Sequence, residues 1–400
     1  MRPKPLLFRV RAQTGHQRVG LLVLAAERGL IRVDVLLHEG AIPSAELEDL
    51  VGRAKVGDRH GVSIAGVRLG FYMGYAPPGT SPLEPIAMAQ EAERLGYDSA
   101  WAAEAWGTDC VTVLSWLGAT TEKIKLGSAI MQIPGRTPAN TAMTAATLDL
   151  LSGGRFLLGL GTSGPQVAEG WHGEPWGKPL AKTREYVEIV RTALRRELVE
   201  HHGEHYDIPY GNGTGLGKPL KLMARPLRAD IPIYLAVMGP KAVAQAFEIA
   251  DGWLPIFWSP EKARDAFGAE LTSARPEFDV AATAPVILID DVEAGREFLK
   301  PYYALYIGGM GARGKNFYND LATRYGYGGE ARAIQDLYLA GNKRDAAAAV
   351  PDAFVDEVAL VGPKERIAER VEAWRESGAT SLLASTQQPE ALRALAELIL

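Results

Sequence analysis

The chain has 400 residues, of which 47% are hydrophobic and 23% are charged, and its formal net charge is −5. This composition is typical of a soluble globular protein, and the charge gives no sign of a nucleic-acid-binding surface. No apolar run approaches the roughly 20 residues of a membrane span. Cys110 is the only cysteine. A single thiol excludes an intrachain disulfide and a site built from several thiolates, and it is compatible with a reducing cytoplasm.

The first 66 residues carry no recognisable motif. A short apolar run at 21–26 follows several basic residues, but Glu27 comes next, without the cleavage pattern of a signal peptide. A helix is predicted over 44–54. We interpret residues 1–66 as an extension outside the core, either a poorly ordered segment or the product of a translation start placed too early.

From Val67 onward, short apolar strands alternate with helices. The strands are predicted over 67–73, 97–101, 124–130, 155–161, 231–237, 252–257, 285–289 and 378–384. The helices are predicted over 85–95, 108–120, 140–151, 180–200, 239–250, 362–377 and 389–400, with a mostly helical insertion at 292–357. Strands that are apolar along their whole length are buried on both faces, which is typical of a parallel sheet.

Eight strand-helix units predict the fold class α/β, with residues 67–400 forming one (β/α)8 TIM barrel. The chain is long enough for insertions after strands 4 and 7. An open doubly wound sheet is the alternative, but such a sheet rarely contains eight parallel strands.

The third predicted strand becomes small near its end, at Gly127, Ser128 and Ala129, before Pro134 stops it. Small side chains at this place allow a flat molecule to lie against the backbone. The alternative is tight packing between a helix and the strand.

In a TIM barrel, ligands bind at the carboxyl ends of the strands. The residues expected there include few charges, many glycines and several aromatic side chains. They are Tyr75, Glu104, Trp106, Ala129, Ile130, Gln132, Gly161, Thr162, Ser163, Gly164, Trp171, His172, Met238, Gly239 and Pro240. Such a set suits a large flat ligand with a polar tail better than a metal or a sugar.

The segment GLGTSG at 159–164 has the glycine spacing of a dinucleotide fingerprint. A lone match is weak evidence, and no acidic residue follows a second strand at the expected distance. Backbone N–H groups could nevertheless bind a phosphate here and at Gly239, where a helix begins.

Two ionisable residues are candidates for catalysis. Glu104 follows a buried strand, and it either pairs with an arginine or acts as a proton donor, a proton acceptor or an orienting group. His172 is either a proton donor or substrate contact, or an imidazole that packs a loop. Cys110 is interpreted as a buried small residue because no histidine lies near it in sequence.

Three histidines lie close together at His201, His202 and His205. Their spacing suits few metal geometries and no fourth ligand is apparent, so a polar turn is the preferred interpretation over a metal site.

Taken together, these segments resemble the luciferase-like monooxygenase superfamily. More narrowly, they resemble its deazaflavin (coenzyme F-420)-dependent oxidoreductases, including the methylenetetrahydromethanopterin reductase-like branch. The resemblance covers about 67–400. Its motifs are LGYDSAW at 95–101 with Glu104, KLGSAIMQ at 125–132 with RTP at 136–138, LDLLSGGRF at 148–156, GLGTSGPQV at 159–167 with GWHG at 170–173, IPIYLA at 231–236, GPK at 239–241 and ADGW at 250–253.

The resemblance implies a cis peptide bond that is not followed by proline, at Ala129–Ile130, with the coenzyme ring packed against it. It places the acidic or polar residue after strand 2 at Glu104. It also implies phosphate contacts at Thr162, Ser163, Met238 and Gly239. A histidine that some relatives carry after strand 2 is replaced by Ala105, so an acid–base mechanism does not transfer directly.

The function expected from the resemblance is hydride transfer between coenzyme F-420 and a small organic substrate, by a cytoplasmic homodimer. Trp106, Trp171, His172 and the insertion at 302–327 would enclose the substrate. Two alternatives stay open: a monooxygenase that uses FMN and oxygen, and a barrel that binds a flavin or deazaflavin without catalysis. No nucleic acid, membrane or metal partner is expected.

Overall fold

A computed structural model describes residues 67–75, 79–268 and 275–400, and the backbone of three strands before residue 35. Contacts between Cα atoms divide the chain into two compact units, Met1–Ile64 and Ala65–Leu400. In the first unit, antiparallel strands form a sheet in chain order: Leu7–Thr14, Gln17–Ala25 and Ile31–Asp34. These strands were not predicted from the sequence, and the helix predicted over 44–54 lies outside the described residues. The predicted boundary at residue 66 stays a prediction.

The second unit contains a closed barrel of eight parallel strands. In chain order, strands 1 to 8 are Arg68–Gly74, Ser99–Ala102, Lys125–Ser128, Phe156–Gly161, Ile233–Leu235, Gly252–Trp253, Asp279–Leu288 and Ser381–Ser385. Each strand pairs with the next, strand 8 pairs with strand 1, and strand 4 pairs with strand 5 to complete the closed ring. The predicted (β/α)8 TIM barrel is therefore confirmed.

Helices follow the strands on the outside of the barrel. Between strands 1 and 5 they are Leu83–Leu95, Cys110–Ala119, Pro138–Ser152, Pro165–Gly170 and Pro179–Leu194. Between strands 5 and 7 they are Pro240–Ile249 and Ala263–Phe267, and after strand 8 the helix Pro389–Ile399 ends the chain. Along the part of the chain that the structure describes, no helix is both long and apolar enough to span a bilayer.

The two predicted insertions are present. After strand 4, a short hairpin pairs His201–His202 with Asp207–Ile208. After strand 7, the insertion is helical and contains two π-helical turns. It consists of Val292–Ala304, Leu305–Gly309, Phe317–Ala322, Thr323–Tyr327, Gly328–Leu339, Lys343–Ala348 and Asp352–Val358. A short strand, Leu360–Gly362, then pairs with the end of strand 7 and precedes the helix Lys364–Glu376.

Local sequence signals explain several helix ends. The Asp109 carboxylate accepts a hydrogen bond from the Thr112 N–H and caps one helix, and Thr137 caps the next before a proline at its first position. Gly96 and Gly153 end two helices with φ values of 91° and 70°, a left-handed conformation that favours glycine.

Strands 3 and 7 differ from their predicted bounds. Strand 3 ends at Ser128, and the Ala129–Ile130 peptide bond that follows is cis, as the family resemblance implies. Strand 7 begins at Asp279 rather than at residue 285. Its first half is rich in alanine, which has low strand propensity, so the sequence pattern does not reveal it.

The small residues of strand 3 serve the barrel interior. A Cβ atom on Gly127 would lie 2.1 Å from the indole of Trp101, whose side chain is 1% exposed inside the barrel. The Ser128 hydroxyl donates to the Gly159 carbonyl and accepts from the Gly159 N–H, each at 2.9 Å. The sequence left two alternatives for these small residues: a flat bound molecule, or tight packing between a helix and the strand. At Gly127 neither is correct, because the indole of Trp101 packs there.

Candidate functional site

A cavity of about 1050 Å³ opens at the carboxyl ends of the barrel strands. Its lining combines loops after strands 1 to 6 with the insertion after strand 7. Most of the residues predicted for the site line it: Tyr75, Glu104, Trp106, Ala129, Ile130, Thr162, Ser163, Gly164, Trp171, Met238, Gly239 and Pro240. Gln132, Gly161 and His172 are not among the lining residues. Gln132 and Gly161 contact residues that line the cavity, and His172 contacts Gln132.

The floor of the cavity is apolar. Ala129 and Ile130 line it after strand 3, and Leu254 lines it after strand 6. Ile130 fits against Gly161, where an added Cβ would lie only 2.3 Å from the Ile130 Cδ1 atom. Gly161 therefore shapes the floor by making room for Ile130, a contact that was not predicted from the sequence.

One end of the cavity offers groups that suit an anion. The helix Pro240–Ile249 begins there, and its capping residue Gly239 has no side-chain cap. Lys241 on the first turn of this helix also lines the cavity. Ser163, on the neighbouring loop, has a φ of 58°. The positive end of a helix dipole and a nearby ammonium group favour a phosphate.

Glu104 forms a bidentate ion pair with Arg136. The guanidinium donates to both carboxylate oxygens at 2.5 and 2.8 Å, and the Gln132 N–H donates to the same carboxylate at 3.1 Å. Arg136 also binds Asp109 at 2.7 Å. Burial would lower the pKa of Arg136, but its hydrogen bonds and charge interaction with Glu104 outweigh burial and raise it. The predicted arginine partner is present, and this arrangement suits an orienting role better than proton donation.

His172 lies behind the cavity wall. Its Nε2 atom is 2.9 Å from the Gln132 side-chain oxygen, and a Cβ on Gly135 would lie 2.9 Å from the imidazole. Gln132 in turn donates to the Ala105 carbonyl at 2.6 Å. Through Gln132, His172 thus connects the loops after strands 2, 3 and 4.

A group of tyrosines faces the cavity from the other side. Tyr72 at the end of strand 1 lines it, together with Tyr306 and Tyr318 from the insertion after strand 7. The Tyr306 and Tyr318 rings are 4.8 Å apart. Burial raises the pKa of all three hydroxyls well above its usual value. The aromatic insertion was expected here, whereas Tyr72 was missed because a strand tyrosine carries no motif.

The cysteine and the clustered histidines have local partners. Cys110 is buried next to the site, its thiol is 3.9 Å from the Ile130 carbonyl oxygen, and burial raises its pKa well above the usual value. His201 contacts Glu185 at 3.2 Å, and His202 contacts Asp207 at 2.6 Å. These contacts match the predicted polar turn.

Comparisons with known proteins agree with this architecture. The family model described as luciferase-like monooxygenase matches residues 69–381. A putative coenzyme F-420-dependent oxidoreductase of Mycobacterium tuberculosis is 44% identical over 348 residues, which cover 84% of this chain and 99% of the relative. A 5,10-methylenetetrahydromethanopterin reductase of Archaeoglobus fulgidus is 29% identical over 308 residues, which cover 74% and 87%.

A solved structure shares the fold. The coenzyme F-420-dependent tetrahydromethanopterin reductase of Methanopyrus kandleri superposes with a TM-score of 0.69, covering 84% of this chain and 98% of the other. Their sequences are 23% identical. At this identity the likeness establishes the barrel, and the site has to be argued from its own residues.

Proposed function

Because the chain belongs to the luciferase-like monooxygenase family, we propose that it is an oxidoreductase that uses coenzyme F-420. The reaction is hydride transfer between the coenzyme and an uncharged or charged small organic molecule, in a direction set by the substrate. The 44% identity to a putative coenzyme F-420-dependent oxidoreductase supports the choice of coenzyme. The structural observation that best supports the proposed use of coenzyme F-420 is a single cavity lined by the apolar residues Ala129 and Ile130 and by the helix start at Gly239.

The residues present fit this coenzyme. The cavity, at about 1050 Å³, lies at the upper end of the volumes of ligand pockets and can hold a ring with a long polar tail. Gly161 has no Cβ, which lets Ile130 lie flat beneath the ring position. Thr162, Ser163 and Gly239 would hold a phosphate, and Lys241 would neutralise part of its charge.

When bound, coenzyme F-420 supplies a donor or acceptor of two electrons as a hydride. The protein contributes binding and orientation. Ala129 and Ile130 would support one face of the ring and leave the other face open to the substrate. Glu104, fixed by Arg136, holds the segment that follows strand 3 through the Gln132 N–H. Rigid residues around the coenzyme keep the reacting atoms at the distance and angle that hydride transfer requires.

Fluorescence titration of the purified protein with oxidised coenzyme F-420 and, separately, with FMN tests this proposal. We expect tighter binding of coenzyme F-420. Tighter binding of FMN would favour the oxygen-using alternative, and binding without turnover by any electron partner would favour a non-catalytic barrel. If neither binds, the proposal fails.

A matched pair of variants locates the phosphate. Lys241→Met should weaken coenzyme binding by about tenfold at low salt, since a hydrogen bond to a charged group contributes about 1.5 kcal/mol. Lys218→Met removes an exposed lysine that does not line the cavity, and should leave the dissociation constant unchanged. Equal effects would place the phosphate elsewhere.

We also propose that the enzyme is a homodimer in the cytoplasm. The neighbouring helices Cys110–Ala119 and Pro138–Ser152 expose Trp116, Met143 and Leu151 at 58%, 55% and 76%. Such an apolar face suits contact with a second copy. Sedimentation equilibrium at micromolar concentration should give twice the mass of one chain, and a monomer would contradict the proposal.

A further inference from the structure

The cavity has a side that the coenzyme does not need. We call it the tyrosine wall and define it as Tyr72, Tyr75, Tyr306 and Tyr318, all of which line the cavity. These residues lie at the end of strand 1 or in the insertion after strand 7, whereas Ala129 and Ile130 of the floor and the phosphate end follow strands 3 to 5. In a closed ring of eight strands, strand 8 lies opposite strand 4. The tyrosine wall therefore faces the proposed coenzyme site across the mouth of the barrel.

Aromatic packing holds the wall in place. Phe257, which is 1% exposed, lies 5.5 Å from the Tyr306 ring and 5.6 Å from the Tyr318 ring. Tyr302 lies 4.8 Å from Tyr306. The Phe257–Tyr306 contact is edge-to-face and the other two are tilted, and such contacts limit the orientations of the Tyr306 and Tyr318 rings. The tyrosines form a preformed surface of a fixed shape.

The hydroxyl groups of the wall fall into two classes. Those of Tyr75 and Tyr306 share a hydrogen bond. Those of Tyr72 and Tyr318 form no hydrogen bond with any residue that the structure describes. Because burial raises the pKa of both hydroxyls, each keeps its proton and can donate it in a hydrogen bond.

The wall carries no charge of its own. Among the described residues that line the cavity, Glu104 and Lys241 are the ones with a carboxylate or an ammonium group. Glu104 is neutralised by Arg136, and Lys241 lies at the phosphate end. An anion or a cation bound against the tyrosines would lose its hydration without gaining an ionic partner, which is costly.

We propose that the substrate is an uncharged, largely apolar molecule with a carbonyl or hydroxyl oxygen, bound against the tyrosine wall with that oxygen hydrogen-bonded to Tyr72 and Tyr318. This inference rests on the proposed function for the placement of the coenzyme. It excludes phosphorylated sugars and carboxylated substrates, which need a cation on the substrate side. Tyr72 and Tyr318 act as specificity residues for the oxygen.

Three probes of one ring size test the proposal: 2-cyclohexen-1-one, 1-cyclohexene-1-carboxylate and cyclohexylammonium. Each is titrated by calorimetry into the full-length protein, with and without coenzyme F-420. We expect the neutral enone to bind at least about tenfold more tightly than either ion. Tyr72→Phe and Tyr318→Phe should each weaken the enone by about fivefold, the effect of one hydrogen bond, and leave coenzyme binding unchanged.

Tyr303→Phe is the matched control. The Tyr303 hydroxyl is buried without a partner among the described residues, and it does not line the cavity. Loss of this hydroxyl should change neither the dissociation constant of the enone nor that of coenzyme F-420. The proposal is overturned if an ion binds as tightly as the enone, if no probe binds, or if all three phenylalanine variants behave alike. The coenzyme titration reports separately on the proposed function, and the coenzyme-free titrations still measure charge selectivity if that function fails.

Discussion

The two sides of the cavity recognise ligands by different means. On the side of strands 3 to 5, glycines and small residues bring backbone close to the ligand, and Gly161 leaves room for Ile130. On the other side, Tyr72 and Tyr318 present side-chain hydroxyls from packed aromatic rings. Backbone contacts suit a coenzyme shared by many relatives. Side chains on an insertion are free to change with the substrate.

The largest expected effect concerns the glycine-rich segment formed by strand 4 and the loop after it. A Cβ on Gly159 would lie 1.9 Å from the Ser128 carbonyl oxygen, so Gly159→Ala should lower the free energy of unfolding by about 3 kcal/mol or more. A Cβ added at Gly164 would meet open space, so Gly164→Ala should change the free energy of unfolding by less than about 0.5 kcal/mol. Urea denaturation of both variants measures this. Similar losses of unfolding free energy in the two variants would contradict the close packing at Gly159.

The next effect distinguishes positioning from proton transfer at Glu104. Its side chain is 11% exposed and pairs with Arg136, which is 15% exposed. Glu104→Gln should lower the free energy of unfolding by about 2 kcal/mol, since it leaves a largely buried guanidinium with only Asp109. The double variant with Arg136→Met should recover part of that loss. A normal stability combined with loss of turnover would instead make Glu104 the proton donor.

The tyrosine wall predicts a dependence on alkaline pH. Tyr72, Tyr306 and Tyr318 have pKa values raised by burial, so they stay protonated in the folded state when unfolded tyrosines ionise near pH 10. Their contribution to stability is complete below pH 10 and is lost as pH rises further, by about 1.4 kcal/mol per tyrosine for each pH unit. Tyr306→Phe should show a shallower loss between pH 10 and 11 than the wild-type protein in denaturation experiments. An unchanged slope would contradict the burial of this hydroxyl.

The smallest effect concerns the N-terminal segment. The family model begins at residue 69, and each cavity-lining residue that the structure describes lies at or after Tyr72. We therefore expect deletion of residues 1–66 to change the dissociation constant of coenzyme F-420 by less than about twofold, well below 1 kcal/mol. The same fluorescence titration measures it, and a larger loss would give this segment a role at the site.

The sequence predicts the strand 3 to 5 side of the cavity better than it predicts the tyrosine wall. The barrel and its insertions follow from apolar strands and turn residues, which are local signals, and the Ala129–Ile130 cis peptide bond follows from the family resemblance. The tyrosine wall combines Tyr72 of strand 1 with Tyr306 and Tyr318 of an insertion more than 200 residues later, and only the folded barrel brings them to the same cavity. The partners of Glu104 and His172 also come from other loops, so sequence left their alternatives open.

The most direct test is a crystal structure of the protein with oxidised coenzyme F-420. We predict that the ring packs on Ala129 and Ile130, that a phosphate lies at the start of the helix Pro240–Ile249, and that the Tyr72 and Tyr318 hydroxyls face the space left over the ring. A ring packed on the tyrosines, with its phosphate away from Gly239, would contradict this division of the cavity.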